Sequence, residues 1–376
     1  MKNPFVYGAT VTGDDFANRE KEIKELVQDL KDGERVFLIS PRKYGKTSLI
    51  INVLKKIKVA GLYTIYIDLY KATSLNKFIE IYAGEIANAM ESKLDRVIKL
   101  LRDILPTLRP KITIGHNGRP SIGIEYTPLK KDILRFLDEI CNLPEQIANK
   151  KRKKIVIAFD EFQEIRNFDG EDIEKIMRAN FQHHKRVGYL FAGSKKHILY
   201  DMVSNKSRAF YKMGRILNLG KIPRGEFKEF LEQKFLKTGF ILKPGVIDKV
   251  LDIVDNYPYN AQFLCHKLWD LYFDTKKINT ENVQPTLERI IIEETPFYLT
   301  IWDSLPLTQR QILKAIAMHG GKRIYSQEFI KMNDLGALST VQTSIRLLIK
   351  KEILDKVDNI YYFSDVFFRE WVRLRI

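Results

Sequence analysis

The sequence predicts an α/β fold built on a parallel sheet, then a small helical segment and a C-terminal three-helix unit with a β-wing. Three observations carry this. Over the first 220 residues, strand-length apolar runs alternate with helical periodicities, the pattern of a parallel sheet covered on both faces. Residues 224–295 show helical spacing alone. After residue 300, three helical stretches precede two strand-like runs flanking Asp358-Asn359, the layout of a winged helix-turn-helix. The expected domains are 1–222, 223–297 and 298–376.

Each element has its own signal. Ile23, Leu26, Val27 and Leu30 form the apolar stripe of a helix within 13–31, capped by Asp15 or Asn18 and ended by Gly33. A strand over 35–40, a polar loop and a helix to about 57 follow. Residues 62–69 read as a second strand and 75–104 as a helix. Residues 111–126 read as a hairpin turning at Asn117-Gly118; it interrupts the α/β alternation and is expected to be an insertion. Then come a helix over 128–149, a basic solvated turn over 150–154 and a strand over 155–159. A helix over 171–184, a strand over 187–194 and a short strand over 215–219 complete the first domain. Helices over 225–237, 244–255, 259–274 and 280–294, without strands, make a lid-like domain. Helices over 308–319, 326–331 and 338–351, with a wing of 353–357 and 360–363, make the last.

At 376 residues the chain exceeds one typical domain, and a hydrophobic share of 45% supplies several cores. A net charge of +16 attracts polyanions: nucleotides, nucleic acid or anionic surfaces. Lysine-rich composition also accompanies heat adaptation and names no partner. Cys141 and Cys265 stand apart and read as buried thiols in a reducing cytosol. Residues 1–8 lack the apolar stretch of a secretory signal, and no apolar run reaches membrane-spanning length. The expectation is a cytoplasmic protein without a membrane partner. His183-His184 lacks the i, i+4 spacing of a helical metal pair.

The first chemical motif is Ser40-Pro41-Arg42-Lys43-Tyr44-Gly45-Lys46-Thr47, set between the apolar run 36–39 and the helical stretch 48–54. Strand, tight loop, Gly-Lys-Thr and helix is the layout of a phosphate-binding P-loop. Backbone N–H groups of the loop and first helical turn point at phosphate, so Ser48 belongs to the cradle. Lys46 adds a fixed positive charge, and the Thr47 hydroxyl is a Mg²⁺ ligand. Ser40 stands where the pattern has its first Gly, and a basic surface turn is the plain alternative.

The second motif is the apolar strand 155–159 ending in Asp160-Glu161. A buried strand can deliver Asp160 to the Mg²⁺ shell beside Thr47, and Glu161 can polarise an attacking water. In this order the two motifs predict a nucleoside triphosphatase.

Several segments together resemble the archaeal-type P-loop ATPases of the STAND branch of the AAA+-like proteins. Phe16-Ala17-Asn18-Arg19-Glu20-Lys21-Glu22-Ile23 is similar to the F-x-N/G-R-E-x-E-I/L box of that family. Pro41 to Leu49 resembles its P-R-R-x-G-K-T-S-L motif, Asp160-Glu161-Phe162-Gln163 its D-E-F-Q, and Ala192-Gly193-Ser194 its sensor 1 strand. Tyr257-Pro258-Tyr259-Asn260-Ala261-Gln262 resembles G-x-P-x-x-x-Q, with Asn256 where Gly is usual. The resemblance implies ATP rather than GTP, with Arg19 near the adenine and Pro258 closing over the nucleotide. It also implies that Ser194 senses the γ-phosphate or positions water. The plain alternatives are a helix-starting proline and a polar strand end. Arg215 lies near a displaced match to the family's F-Y-G-R segment; it reads as a charge-stabilising arginine or as a surface ion pair.

In the last domain, Val341, Ile345 and Leu348 make the inner face of a helix capped by Ser339. Thr340, Gln342, Thr343, Arg346 and Lys350 point outward, suited to base edges and phosphates, although winged helices also bind proteins. The partners expected are ATP or ADP, duplex DNA through the winged helix, and self-association or a protein partner. Three functions follow: an ATP-driven switch, a nucleotide-gated DNA-binding protein like replication initiators, or a nucleotide-binding scaffold with negligible turnover.

Overall fold

In the computed structural model, the apolar runs become β1 (Arg35–Ile39), β2 (Tyr63–Asp68), a hairpin of β3 (Arg109–Ile114) and β4 (Pro120–Glu125), β5 (Ile155–Asp160), β6 (Val187–Gly193) and β7 (Arg215–Asn218). The structure describes residues 1–376 apart from 18, 91–108, 115–119, 126–129, 169–170, 358 and 375–376. Two compact units form, Thr10–Gly220 and Met1–Ala9 with Lys221–Ile376.

In the first unit five strands pair in the order β2-β5-β6-β1-β7, all parallel. The centre of this sheet is dry. Every residue of β5 and of β6 is buried, as strands covered on both faces must be. Side chains alternate between two cores. Val36, Leu38, Val156, Ala158, Leu190 and Ala192 pack with helices Glu20–Asp32 and Lys46–Val59. Phe37, Ile157, Phe159, Tyr189 and Phe191 pack on the other face with helices Leu75–Met90, Lys130–Lys151, Glu171–Phe181 and Lys196–Ser204.

Register sets where chemistry gathers. Ile39 pairs with Gly193, Phe159 with Phe191, and Asp68 with Asp160. The chain therefore leaves β1, β5 and β6 at one common edge of the sheet, just before Ser40, Glu161 and Ser194.

Some local expectations change. Helix Glu20–Asp32 has no side-chain cap from Asp15, which lies in a short 3-10 turn; Asn18 is outside the described residues. Gly33 ends this helix at φ 86°, donating to Asp29 and Leu30 carbonyls. The helix expected over 75–104 is described to Met90, and the Asn117-Gly118 turn lies outside the described residues. Lys150 and Lys151 belong to the preceding helix rather than to a turn.

In the second unit the first nine residues pack on helices from the far end of the sequence. Phe5 meets Phe235 at 4.5 Å, Tyr7 stacks on Phe263 at 4.4 Å, and Lys234 donates to the Pro4 carbonyl. Helices Arg224–Lys237, Val246–Val254 and Pro258–Leu271 follow the expected spans closely. The expectation of no strands is corrected by the parallel pair β8 (Ile241–Leu242) and β9 (Lys277–Ile278). Helix Val283–Asp303 runs unbroken through the expected boundary at 297–298.

The winged helix has helices Leu307–His319, Gln327–Met332 and Leu338–Lys350 and the wing β10 (Leu354–Val357) and β11 (Ile360–Phe363). Ala337, not Ser339, is the N-cap of its third helix. A further helix, Val366–Arg373, buries Phe367, Phe368 and Trp371 as core residues. Among the described residues no helix is long and apolar enough to cross a membrane.

Candidate active site

The loop after β1 is shaped by two left-handed residues, Lys43 at φ 67° and Gly45 at φ 82°. Gly45 is the N-cap of helix Lys46–Val59, so the first-turn N–H groups open toward the loop. Ser40 is fully buried, its N–H donating to the Gly193 carbonyl at 3.3 Å and its hydroxyl to the Pro41 carbonyl at 3.0 Å. A small side chain fits this place, which explains Ser where Gly is usual. Pro41 and Tyr44 are buried, while Arg42 is exposed. The Ser48 hydroxyl turns away from the loop and accepts from the Val11 N–H at 3.1 Å.

Lys46, Thr47, Asp160 and Glu161 meet across sequence separations of 113 to 115. The Lys46 ammonium, buried to 6%, donates to Oδ1 of Asp160 and, at 2.9 Å, to Oε1 of Glu161. Thr47 Oγ1 donates to Oδ2 of Asp160 at 2.7 Å, and the Tyr66 hydroxyl donates to the same oxygen at 3.1 Å. Burial, then the charges of Asp160 and Asp68, push the Tyr66 phenol up, so it stays a donor.

Glu161 is the most constrained of the four. Its backbone is left-handed at φ 52°, a conformation costing roughly 1–2 kcal/mol in a non-glycine residue. Its Oε2 accepts from Gln163 Nε2 at 2.6 Å and from Ser194 Oγ at 2.8 Å. Burial pushes its carboxyl up, but the Lys46 charge and the hydrogen bonds from Lys46, Gln163 and Ser194 prevail and bring it down to about 2. The group is an anion with three donors on it.

The remaining candidates divide. Arg19, buried to 2%, donates to the Tyr44 carbonyl at 3.2 Å, to the Gly220 carbonyl at 2.9 Å and to Glu22 at 2.9 Å. It fastens the phosphate loop from behind. Pro258 is in the other unit, at the first turn of helix Pro258–Leu271. Arg215 is not brought to the cluster. It stands on β7 level with Val36, at the opposite end of the strand from the loop, and pairs with Glu25 at 3.2 Å and Asp29 at 2.9 Å. Its place is the surface ion pair. His184 is buried against the Tyr189 hydroxyl at 2.7 Å, and burial lowers its pKa to about 4.

Sequence reasoning missed Tyr66 and gave Gln163 no role. Tyr66 had one available signal, its place two residues before the acid that ends β2. For Gln163 the signal was its place two residues after the glutamate.

A family described as an ATPase domain predominantly from Archaea matches residues 16–259, and one described as "Probable winged helix domain" matches 296–374. No curated protein matches the chain. Among solved structures, the Walker-type ATPase paby2304 of Pyrococcus abyssi is 17% identical with a TM-score of 0.65, covering 98% of this chain and 99% of its own. The Aeropyrum pernix ORC2 protein, solved as ADPNP-ADP complexes, is 12% identical with a TM-score of 0.60, covering 100% and 98%. The Aeropyrum pernix ORC1 protein, solved in complex with DNA, is 14% identical with a TM-score of 0.52, covering 96% and 93%. At these identities the likeness shows a shared fold. The chain belongs to the family of ATPase domains found predominantly in Archaea: it is a P-loop ATPase with a C-terminal winged helix domain.

Proposed function

We propose that this ATPase is an ATP-driven switch of the STAND branch of the AAA+-like proteins. Mg²⁺-dependent hydrolysis would set the arrangement of the helical segment 223–297 and the winged helix 298–376. The observation supporting it most is the cluster of Lys46, Thr47, Asp160 and Glu161, a cation, a hydroxyl and two carboxylates held by mutual hydrogen bonds. A scaffold with negligible turnover would not need Glu161 held in a strained backbone beside Lys46.

In this reading Arg42 to Ser48 cradle the phosphates through backbone N–H groups, and Lys46 neutralises their charge. Thr47 and Asp160 fit Mg²⁺: their oxygens are 2.7 Å apart, hard donors, and few, as suits an ion that keeps most of its waters. An ion held by Thr47 and Asp160 would supply charge neutralisation to the phosphates. Glu161 accepts the proton of the attacking water, and Ser194 steadies Glu161 or the water. Arg19 holds the loop near the adenine. Both cysteines are unpaired and buried, which supports a reducing cytoplasm.

ATP can shift the arrangement only by its difference in affinity between states; moving 1:99 to 99:1 takes about 5.5 kcal/mol. The test is Mg²⁺-ATP turnover by wild type and Lys46→Ala over a range of protein concentrations, with and without duplex DNA. Turnover abolished by Lys46→Ala is expected; equal turnover in both would sink the reading. A second reading, nucleotide-gated DNA binding, draws on the exposed Thr340, Gln342, Thr343, Arg346 and Lys350 and on the DNA-bound ORC1 structure. DNA-stimulated turnover would favour it. A concentration-dependent rate indifferent to DNA would favour self-association or a protein partner.

A further inference from the structure

Hydrolysis as proposed above leaves open which oxygen of Glu161 receives the proton, and Gln163 bears on that choice. Gln163 is 3% exposed in the 3-10 turn Phe162–Asn167, directly after the two acids. A carboxylate can only accept, so the Gln163 amide must face Glu161 through its NH₂. Nε2 lies 2.6 Å from Glu161 Oε2 and 3.5 Å from Glu164 Oε1. Gln163 Oε1, in contrast, is buried without a hydrogen-bond partner among the described residues. Leaving a buried carbonyl unpaired is costly, so an apolar side chain would suit the packing better. Gly193 makes room for that carbonyl: a Cβ there would lie 2.1 Å from Gln163 Oε1 and 2.6 Å from Leu199 Cδ1.

The two oxygens of Glu161 are thus served differently. Among the described residues, Oε2 takes two neutral donors, Gln163 and Ser194, while Oε1 takes only Lys46. Phosphate competes for Lys46 but has no claim on Gln163. We propose that Gln163 is a positioning residue that pins Oε2 of Glu161, which makes Oε1 the oxygen that accepts the water's proton. The water oxygen forms its bond to the γ-phosphorus as the bond to the β,γ-bridging oxygen breaks. The electron pair leaves with ADP, and the proton goes to Oε1. The pin matters because the backbone of Glu161 is strained and does not by itself fix where the side chain points.

The experiment measures kcat and equilibrium Mg²⁺-ATP affinity for wild type, Gln163→Met, Glu161→Gln and the double variant. Methionine keeps the length and removes the donor. Gln163→Met is expected to lower kcat by about 10- to 100-fold, the scale of a misplacement near 1 Å. ATP affinity should stay within about twofold, and the change should add nothing once Glu161 is Gln. A full wild-type kcat in Gln163→Met, a matching loss of affinity, or an equal further loss in the Glu161→Gln background would overturn the pin. If Gln163→Met does not fold, Gln163→Asn, which withdraws the amide by one methylene, must show the same selective loss of kcat. A wild type without Lys46-dependent turnover would overturn the hydrolytic reading and the pin together.

Discussion

The edge of the sheet where β1, β5 and β6 end and the outer face of helix Leu338–Lys350 are both polar, and they are built in opposite ways. At the sheet edge Lys46 and Asp160 are nearly fully buried, and Lys46, Thr47, Asp160 and Glu161 hold one another by hydrogen bonds. On the helix, Thr340, Gln342, Thr343, Arg346 and Lys350 are exposed above a buried face of Val341, Ile345 and Leu348. Burial makes residue choice strict, because an unmatched charge there is costly. Exposure leaves it loose, so the same side chains suit phosphate, a base edge or an acidic protein. The chemistry of the first region is therefore specific and the partner of the second is not.

Lys46→Ala attacks the strict region hardest. It removes the cation between two carboxylates and a donor to phosphate. Turnover should fall by at least about 10²–10³-fold, the loss from deleting one well-placed donor. Stability should fall as well, since breaking a buried pair costs about 3–5 kcal/mol. Steady-state kinetics and a thermal midpoint check both; an active, equally stable variant would mean the burial is not binding on chemistry.

Glu161→Gln is next, with kcat down about 10²–10⁴-fold and ATP still bound. It also has a pH signature. The Glu161 carboxyl is held at about 2 against its ordinary 4.5, so its stabilising contribution is whole above 4.5 and is lost as pH falls toward 2. Urea midpoints of wild type should drop through that window more than those of Glu161→Gln. Parallel curves would show that Glu161 is not held as an anion.

The contrast between the regions also explains what could be read from the chain. Gly45-Lys46-Thr47 and Asp160-Glu161 were legible because phosphate chemistry fixes residue type and local spacing. That β6 lies between β1 and β5 was not, since pairing is set by contacts far apart in sequence. The roles of Gln163 and Ser194 around Glu161 depend on that order. Arg215 stayed open between a charge-stabilising arginine and a surface ion pair because a motif carries no register: the F-Y-G-R likeness says nothing of which end of β7 the residue occupies. The helix expected over 280–294 and the boundary expected at 297–298 are both overrun by helix Val283–Asp303, which carries Pro296 within it. Trp371 donates to Thr295 at 3.1 Å and packs 5.8 Å from Trp302, so tertiary contacts override the local preference. The docking of residues 1–9 and the two-residue strands β8 and β9 leave no periodic signal to read.

In the loose region effects should be smaller. Arg346→Ala and Lys350→Ala together should leave basal turnover unchanged. If duplex DNA is the partner, they should reduce the salt slope of binding by roughly one unit per lost phosphate contact. A titration at several salt concentrations reads this directly. An unchanged slope would move the DNA contact off this helix, and absence of DNA binding in the wild type would turn the face toward a protein.

Arg215→Ala is the smallest expected effect and sharpens the comparison from the other side, because this arginine belongs to the catalytic unit yet is built like the loose region. Its side chain is 45% exposed, and Glu25 and Asp29 are 37% and 28% exposed. Exposed pairs of this kind contribute about 0.2–1 kcal/mol, so the melting temperature should fall by no more than about 2–4 °C. Register places Arg215 level with Val36, three pairings before Ile39, or about 10 Å down the strand from the phosphate loop. Turnover of an isolated chain should therefore be unchanged. A loss near 10³-fold would have to come from this guanidinium reaching a neighbouring chain's nucleotide, in the manner of an arginine finger. Mixing Arg215→Ala with Lys46→Ala separates the cases. Activity regained on mixing would place the arginine in a neighbour's site, whereas a simple average of the two rates would leave it as the surface ion pair with Glu25 and Asp29.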